Sequence, residues 1–326
     1  AAERAMNVGA FSLSPAVMVA PMAGVTDLPF RETVHDFGRV WVEGEMVSAN
    51  PDLLESNESE RKIAFGDEPS PRIVQLLGAV PAWMNRAASF VEECGADIID
   101  INMGCPAKKI CKTDCGSALM KNLPLADEII RGVCGTVSVP VTLKMRTGWD
   151  SDHLNAPELA RIAESAGVRL ITVHGRTREQ GYSGEAEYRT IREIRSAVRI
   201  PVIANGDIDS PQKAASVLDF TGADGIMVGR GALGAPWLPG RISAYLETGV
   251  DPGEPSVQEK AETVFRHLKR HLDFYGEKNG IRSFRKHLLW YLERFPGGTE
   301  AFRPLSRLSN TSELVSGLSI FLKKTF

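Results

Sequence analysis

The sequence predicts an α/β fold: a (β/α)8 TIM barrel followed by a small C-terminal all-helical domain. Three observations carry that expectation. Eight short β-branched runs recur up to Leu233, each ending in glycine, polar or charged residues. Helix-compatible segments separate most of them. A stretch rich in Pro, Gly and charge, residues 247–260, then gives way to helical patterns alone. Continuous apolar runs that alternate with helices read as parallel strands buried on both faces. Eight such units over roughly 230 residues suit a barrel of about 250 residues. A doubly wound sheet, the alternative, has fewer strands and calls for a GxGxxG turn after an early strand. The first run ends "APMAGVTD" instead.

In chain order, "AVMVAPMAG" from Ala16 ends in a soft apolar turn containing Met22. "VWVEGEMV" from Val40 follows, with Glu45 at its end. "RIVQLLG" from Arg72 carries Gln75 and leads into the helical segment "PAWMNRAASFVEECG". "DIIDINMGC" from Asp97 ends in Asn102 and Cys105. "PVTLKMRTG" from Pro140 brings Lys144 and Arg146, ahead of the helical "NAPELARIAESAG". "LITVHGRT" from Leu170 brings His174 and Arg176. "PVIANGDI" from Pro201 supplies Asn205, Gly206 and Asp207, and "GIMVGRGAL" from Gly225 supplies Gly229 and Arg230. Residues 1–246 are assigned to the barrel and 247–326 to the helical domain, with a linker at about 247–258. Three helices are read in the tail, "SVQEKAETVFRHLKRHLDFYG", "GIRSFRKHLLWYLERF" and "TSELVSGLSIFLKK".

Composition narrows the class. No apolar stretch approaches the ~20 residues of a membrane helix, and the first residues hold no apolar core of signal-peptide length. A cytoplasmic protein is expected. The cysteines number five, an odd count that argues against a disulfide framework. Charge is divided unevenly. From Ser256 onward there are 13 Lys and Arg against 7 Asp and Glu, net +6, and the rest carries net −9. Three of the six histidines, His267, His271 and His287, also lie in that tail. An acidic body joined to a basic tail suggests a catalytic unit beside something that meets an anion.

In such a barrel the carboxyl ends of the strands form the active site, so the end residues belong to one ring. Glycines after the last two strands let a helix N-terminus and backbone N–H groups approach a phosphate. Arg230 adds a charge-assisted bond. Lys144 needs an anionic partner or a chemical role. It suits a Schiff base, or a delocalised anion such as a reduced flavin, whose polar edge Gln75 would also meet. Cys105 precedes Pro106, which disfavours the α region and puts the thiol in a loop over the mouth. With an ordinary pKa of about 8.5 it is a proton donor at neutral pH.

Taken together, "APMAGVTDLPFR", "GEMVSANP", "VQLLG", "DINMGCPAKK", "GSALM", "PVTLKMRTGW", "TVHGRTREQGYSGEAEY", "PVIANGDI", "TGADGIMVGRGALGAPW" and "RKHLLWYL" resemble the tRNA-dihydrouridine synthase family, bacterial B-type subgroup. The resemblance implies an FMN barrel and a helical tRNA-binding domain. It implies that NADPH reduces FMN, that hydride passes from N5 to C6 of a uracil base, and that a cysteine protonates C5. On the matching positions Cys105 is the proton donor. Pro21, Met22, Ala23, Gln75 and Lys144 line the flavin, with His174 nearby, and Asn205, Gly206, Asp207, Gly229 and Arg230 hold its phosphate. Asn102, Arg146 and Arg176 are expected to meet the substrate. In the tail, "GIRSFRKHLLWYLER" places Ile281, Phe284, Leu288, Tyr291 and Leu292 on one arc at ~100° per residue. Arg282, Arg285, Lys286 and Arg294 fall on the other with Trp290 among them, as a basic and aromatic face for tRNA. The subgroup points to the D-loop, position 17. No separate nicotinamide fold is visible, so NADPH and uridine would take turns over one flavin face. A monomer without an obligate protein partner or membrane is expected. The rivals are a flavin barrel acting on a small molecule, a Schiff-base aldolase, and an RNA-binding module on an inactive barrel.

One loop departs from the family pattern. In "KKICKTDCGSALM", Cys111, Asp114 and Cys115 stand where basic or small residues are expected. Their spacing matches neither a zinc CxxC pair nor a ferredoxin run, so no metal is expected. A neighbouring thiol that joined Cys105 under oxidation would silence it.

Overall fold

The computed structural model describes residues 5–324. An antiparallel hairpin of β1 (Met6–Val8) and β2 (Phe11–Leu13) comes first. The sequence pattern does not reveal this element, because three-residue strands are too short to show a period. Nine parallel strands follow: β3 (Val17–Val19), β4 (Trp41–Val42), β5 (Val47–Ser48), β6 (Ile73–Leu77), β7 (Ile98–Met103), β8 (Val141–Arg146), β9 (Ile171–His174), β10 (Val202–Asn205) and β11 (Gly225–Val228). Their order is β4-β3-β11-β10-β9-β8-β7-β6-β5. The two end strands belong to one stretch, residues 41–48, so the sheet curls until its ends meet on the same piece of chain. A parallel bridge between Glu43 and Ile73, and the Gly44 N–H on the Ile73 carbonyl at 3.1 Å, tie the seam. The eight predicted units are therefore present, with the second strand split at residues 43–46.

Side chains alternate across each strand. Outward residues such as Val74, Ile99, Leu143 and Val173 join the helices in one large apolar layer, each worth roughly 1.5–3 kcal/mol of burial. Inward residues begin with an apolar floor. Met18, Trp41, Ile73, Ile98, Leu170, Ile203 and Met227 pack there with Met6, Val8 and Leu13 of the hairpin. One step higher the inward positions turn polar, with Gln75, Asp100, Thr142, Lys144, Thr172 and Asn205. The site thus sits on a sealed base.

The helix Leu238–Thr248 closes the barrel, and Ser256 with Glu259 forms a capping box for the helix Val257–Tyr275. Glu277–Leu292, Gly298–Leu305 and Thr311–Lys323 follow. Gly298–Leu305 is absent from the expected helices, since Gly297, Gly298 and Pro304 read as a loop. The tail docks on the helix Leu28–His35. Arg270 grips Asp36 at 2.6 and 3.0 Å, Arg266 reaches the same carboxylate at 2.7 Å, and Tyr275 donates to Asp27 at 2.8 Å. The tail histidines do not add to a basic surface. His267, His271 and His287 are buried against Phe30 and Phe284, and burial drives all three below the usual histidine range. Among the described residues no helix is long and apolar enough to cross a membrane.

Candidate active site

Two connected cavities open at the carboxyl ends of the strands, of about 1160 and 280 Å³. Pro21, Met22, Lys144, His174 and Tyr182 line both. The smaller adds Ala23, Met46, Gln75, Asn102, Cys105 and Arg146. The larger adds Asn205, Gly206, Asp207, Gly229, Arg230, Lys213 and Tyr188.

Cys105 is half-buried at the rim of the smaller cavity. Its loop is fixed from several sides. The Asn102 amide oxygen accepts the N–H groups of Gly104 and Cys105 at 3.1 and 3.0 Å. The Cys105 carbonyl accepts from Ser117 N at 3.0 Å, Ser117 Oγ at 3.0 Å and Cys111 Sγ at 3.6 Å. Gly116, at φ +63°, comes so close that a Cβ there would lie 2.7 Å from the Cys105 carbonyl oxygen. Cys111 therefore ties down the loop through its thiol, and Cys115 donates to the Thr113 carbonyl at 3.3 Å. Burial pushes the Cys105 thiol above its ordinary pKa, against the opposing pull of Arg146 and Lys144. It is a protonated acid at neutral pH.

Lys144 faces both cavities from β8, above the buried Glu43 and Asp100, whose charge acts on it without a direct salt bridge. Burial lowers its pKa, and Arg146 adds to that. His174 is neutral: burial first, then the surrounding cations, bring it to about 2. Arg176 Nη1, which can only donate, lies 3.2 Å from His174 Nε2. Nε2 is therefore the acceptor, and the proton sits on Nδ1.

The two inward arginines are placed differently from expectation. Arg176 donates to both Asp207 oxygens at 2.9 and 3.0 Å, to the Ser183 and Gly184 carbonyls at 3.2 and 2.6 Å, and to His174. Its five donors are engaged, so none is left for a substrate; it is a buried clamp on the loop after β9. Arg146 donates to the Gly104, Thr177 and Gly181 carbonyls at 2.9, 3.0 and 2.6 Å. It still lines the smaller cavity but ties the Cys105 loop to the β9 loop.

The Asp207 side chain serves as an anchor. Its carboxylate takes Arg176 and the Ala186 N–H at 2.7 Å. Burial alone would raise its pKa, but these bonds hold it below the usual range. Asn205 donates to the Met227 carbonyl at 3.0 Å, bridging β10 and β11. Gly206 has φ +123°, and a Cβ there would come 2.8 Å from the Ala186 Cβ, so the loop demands glycine. The Arg230 side chain is 53% exposed and lies 3.6 Å from Asp207.

On the tail, Arg282 and Arg285 are exposed. Lys286 extends to the mouth, its Nζ 3.1 Å from where a Cβ on Gly24 would stand. Trp290 is half-buried against Gly234 and packs edge-on to His287 at 5.3 Å. It is a wedge between tail and barrel, not the exposed stacking platform that its place on the basic arc predicts.

Tyr182 is a site residue that the sequence pattern does not single out. It is 56% exposed, with Arg230 4.7 Å and Arg146 5.3 Å from its ring. The signal available is the length of the segment between β9 and the helix Arg189–Ala197, longer than most such connections. Lys213, at the start of the helix Pro211–Thr221, is likewise unmarked in the sequence and lines the larger cavity.

A family model described as Dihydrouridine synthase (Dus) matches residues 18–325. The chain is similar to tRNA-dihydrouridine synthase B of Shewanella oneidensis, 49% identical over 289 residues that cover 89% of this chain and 90% of that protein. The protein of the same name from Xanthomonas campestris pv. campestris is 46% identical over 308 residues, covering 94% and 92%. That from Proteus vulgaris is 43% identical over 318 residues, covering 98% of each. Among solved structures, a morphinone reductase mutant in complex with tetrahydroNAD aligns with a TM-score of 0.57 at 13% identity, covering 78% of this chain and 93% of that one. A 6-hydroxypseudooxynicotine amine oxidase from Pseudomonas geniculata aligns at 0.58 and 15% identity, covering 81% and 52%. At these identities the structural likeness shows the fold alone.

Proposed function

This chain belongs to the dihydrouridine synthase family, and from that premise we propose that it reduces the C5–C6 double bond of a uridine in tRNA, at D-loop position 17. The observation that carries the reading is the Cys105 thiol. It is held protonated at the rim of a small cavity that opens, past Lys144, into a larger one able to take a phosphate.

FMN fits these cavities. Gly206 leaves bare backbone where a side chain would not fit, and Arg230 is exposed enough to turn toward a phosphate. Lys144 and Gln75 are available to the polar edge of the ring, with Pro21, Met22 and Ala23 as an apolar face. FMN held there, with NADPH as reductant, would supply the hydride for C6 of the uracil base.

The chain's own residues supply the rest. Addition at C6 builds negative charge toward C5 and O4, so an acid is needed on that side. Cys105 gives its proton to C5, which completes the saturated bond and leaves a thiolate that solvent reprotonates. Lys144 and Arg146 ease that thiolate. Asn102, which already holds the Cys105 loop, also faces the base. The base must be turned out of the folded RNA, at a cost of a few kcal/mol. The net +6 tail, with Arg282, Arg285 and Lys286, is suited to the phosphates that flank it.

The test is Cys105→Ala. The variant should bind FMN and tRNA like the parent, yet restore little dihydrouridine to tRNA from a strain lacking its own synthases. Full turnover by the variant, or no tRNA binding by the intact protein, would refute the reading.

A further inference from the structure

Beneath the cavities lies a chain of hydrogen bonds with a single direction. The backbone N–H groups of Gly104 and Cys105 donate to Asn102 Oδ1. Asn102 Nδ2 donates to Gln75 Oε1 at 2.9 Å, and Gln75 Nε2 donates to Asp100 Oδ2 at 2.7 Å. Thr142 Oγ1 donates to the other oxygen, Oδ1, at 2.7 Å. An amide can be turned over without changing its shape, but here both ends are fixed. A backbone N–H only donates, and a carboxylate only accepts. The orientation is therefore set jointly: the loop N–H groups fix Asn102, and the charge on Asp100 fixes Gln75.

Glu43 approaches Asp100 from the split second strand, and both are 1% exposed. Glu43 Oε2 has no partner among the described residues. Two buried carboxylates in contact cannot both be ionised. Burial raises Asp100 as well, but Gln75 and Thr142 donate to it and favour its charged form, so the proton belongs on Glu43, which donates it to Asp100. Burial and the Asp100 charge push Glu43 well above the ordinary carboxyl range, in agreement with that placement. The Lys144 charge acts on both carboxyls and balances the one that remains.

We propose that Asp100 and Glu43, sharing one proton, are positioning residues that set the orientation of Gln75, which supports Asn102 and with it the Cys105 loop. This rests on the role of Cys105 proposed above. Asp100→Ala would remove the acceptor that ends the chain. Gln75 would then be free to turn over, setting its N–H groups against those of Asn102, the side chain that holds the Cys105 loop. Asp100→Asn still accepts from Gln75 once the Thr142 hydroxyl rotates to accept in turn. Glu43→Gln still donates to Asp100, whereas Glu43→Ala does not.

The experiment pairs infrared spectroscopy with steady-state kinetics on the flavin-loaded protein. The parent should show the carbonyl stretch of a buried protonated carboxylic acid at neutral pH, and Glu43→Gln should abolish it. Asp100→Ala should lower kcat at least about tenfold at full flavin occupancy with the KM for tRNA nearly unchanged. Asp100→Asn and Glu43→Gln should each recover most of the loss seen in the corresponding alanine variant. The proposal is overturned if Glu43→Gln removes no such band, if Asp100→Ala keeps the parental kcat, or if the conservative variants are as impaired as the alanine ones. Should Asp100→Ala fail to fold, the Glu43 pair and its infrared band decide the question. That band needs no turnover, so it separates failure here from failure of the Cys105 reading.

Discussion

Replacing His271 with Phe should make the protein more tolerant of acid. In the fold His271 is buried between Tyr275 and Phe284, its Nε2 2.7 Å from Ser283 Oγ, and burial lowers its pKa to about 3. The unfolded chain has an ordinary histidine at about 6.5. Below that value the unfolded state takes up a proton that the folded state refuses. The stability gained from a neutral His271 is thus complete above pH 6.5 and is lost as the pH falls toward 3. Between pH 6.5 and 5 the loss from this residue is ~2 kcal/mol, at ~1.36 kcal/mol per unit. His267 and His287 are lowered too and act in the same direction. Asp27 opposes them. Burial raises it to about 6 from 3.8, so the folded state binds that proton more readily between those values. A protonated Asp27 also offers His271, 3.8 Å away, no charge to pair with. At ~1.5 °C per kcal/mol for a chain of 326 residues, His271→Phe should reduce the fall in Tm between pH 7.5 and pH 5 by ~3 °C. Comparing each protein with itself across pH removes the constant effect of the missing Ser283 bond. A variant that loses as many degrees as the parent would show that His271 does not titrate in this window, and the reasoning would fail.

Two further outcomes follow from geometry already described. Gly116→Ala would place a methyl group 2.7 Å from the Cys105 carbonyl at a left-handed backbone position, which costs ~1–2 kcal/mol for a non-glycine residue. It should lower dihydrouridine formation at least tenfold, about the effect of 1.4 kcal/mol on a barrier, while flavin content stays at the parental level; equal activity would refute the close packing. Arg282→Glu with Arg285→Glu should weaken tRNA binding and flatten its salt dependence, by ~1 unit of log–log slope for each phosphate that is no longer neutralised. An unchanged slope in filter binding would remove this face from the RNA interface.

The barrel is legible because the runs from "AVMVAPMAG" to "GIMVGRGAL" carry the apolar continuity of strands covered on both faces. The split of the second strand is not, because Glu43 and Glu45 in "VWVEGEMV" read as the polar end of one strand. Only the closed seam shows that they point inward. The ring of Gln75, Asn102, Cys105 and Lys144 around one cavity can be anticipated, since each stands at a strand end. The work of Arg146 and Arg176 cannot. Their partners are carbonyls of loops that fold back over the mouth, and a sequence does not say which donors are already engaged. Trp290 lies on the basic arc as expected, but its half-burial depends on Gly234, a neighbour that helical periodicity cannot supply. Asp100 and Glu43 stay silent for a related reason: a buried carboxyl pair needs two strands in register before either residue has meaning.

The alternation along β8 has a consequence for how this chain can change over evolutionary time. Val141, Leu143 and Met145 face the helices, while Thr142, Lys144 and Arg146 face the chemistry. Two messages are interleaved letter by letter. One is tolerant of apolar swaps of similar volume, and the other is tied to particular functional groups. A single inserted residue would exchange the two, sending Lys144 into oil and Leu143 toward the site. The length of such a strand is therefore under tighter constraint than any one of its outward side chains.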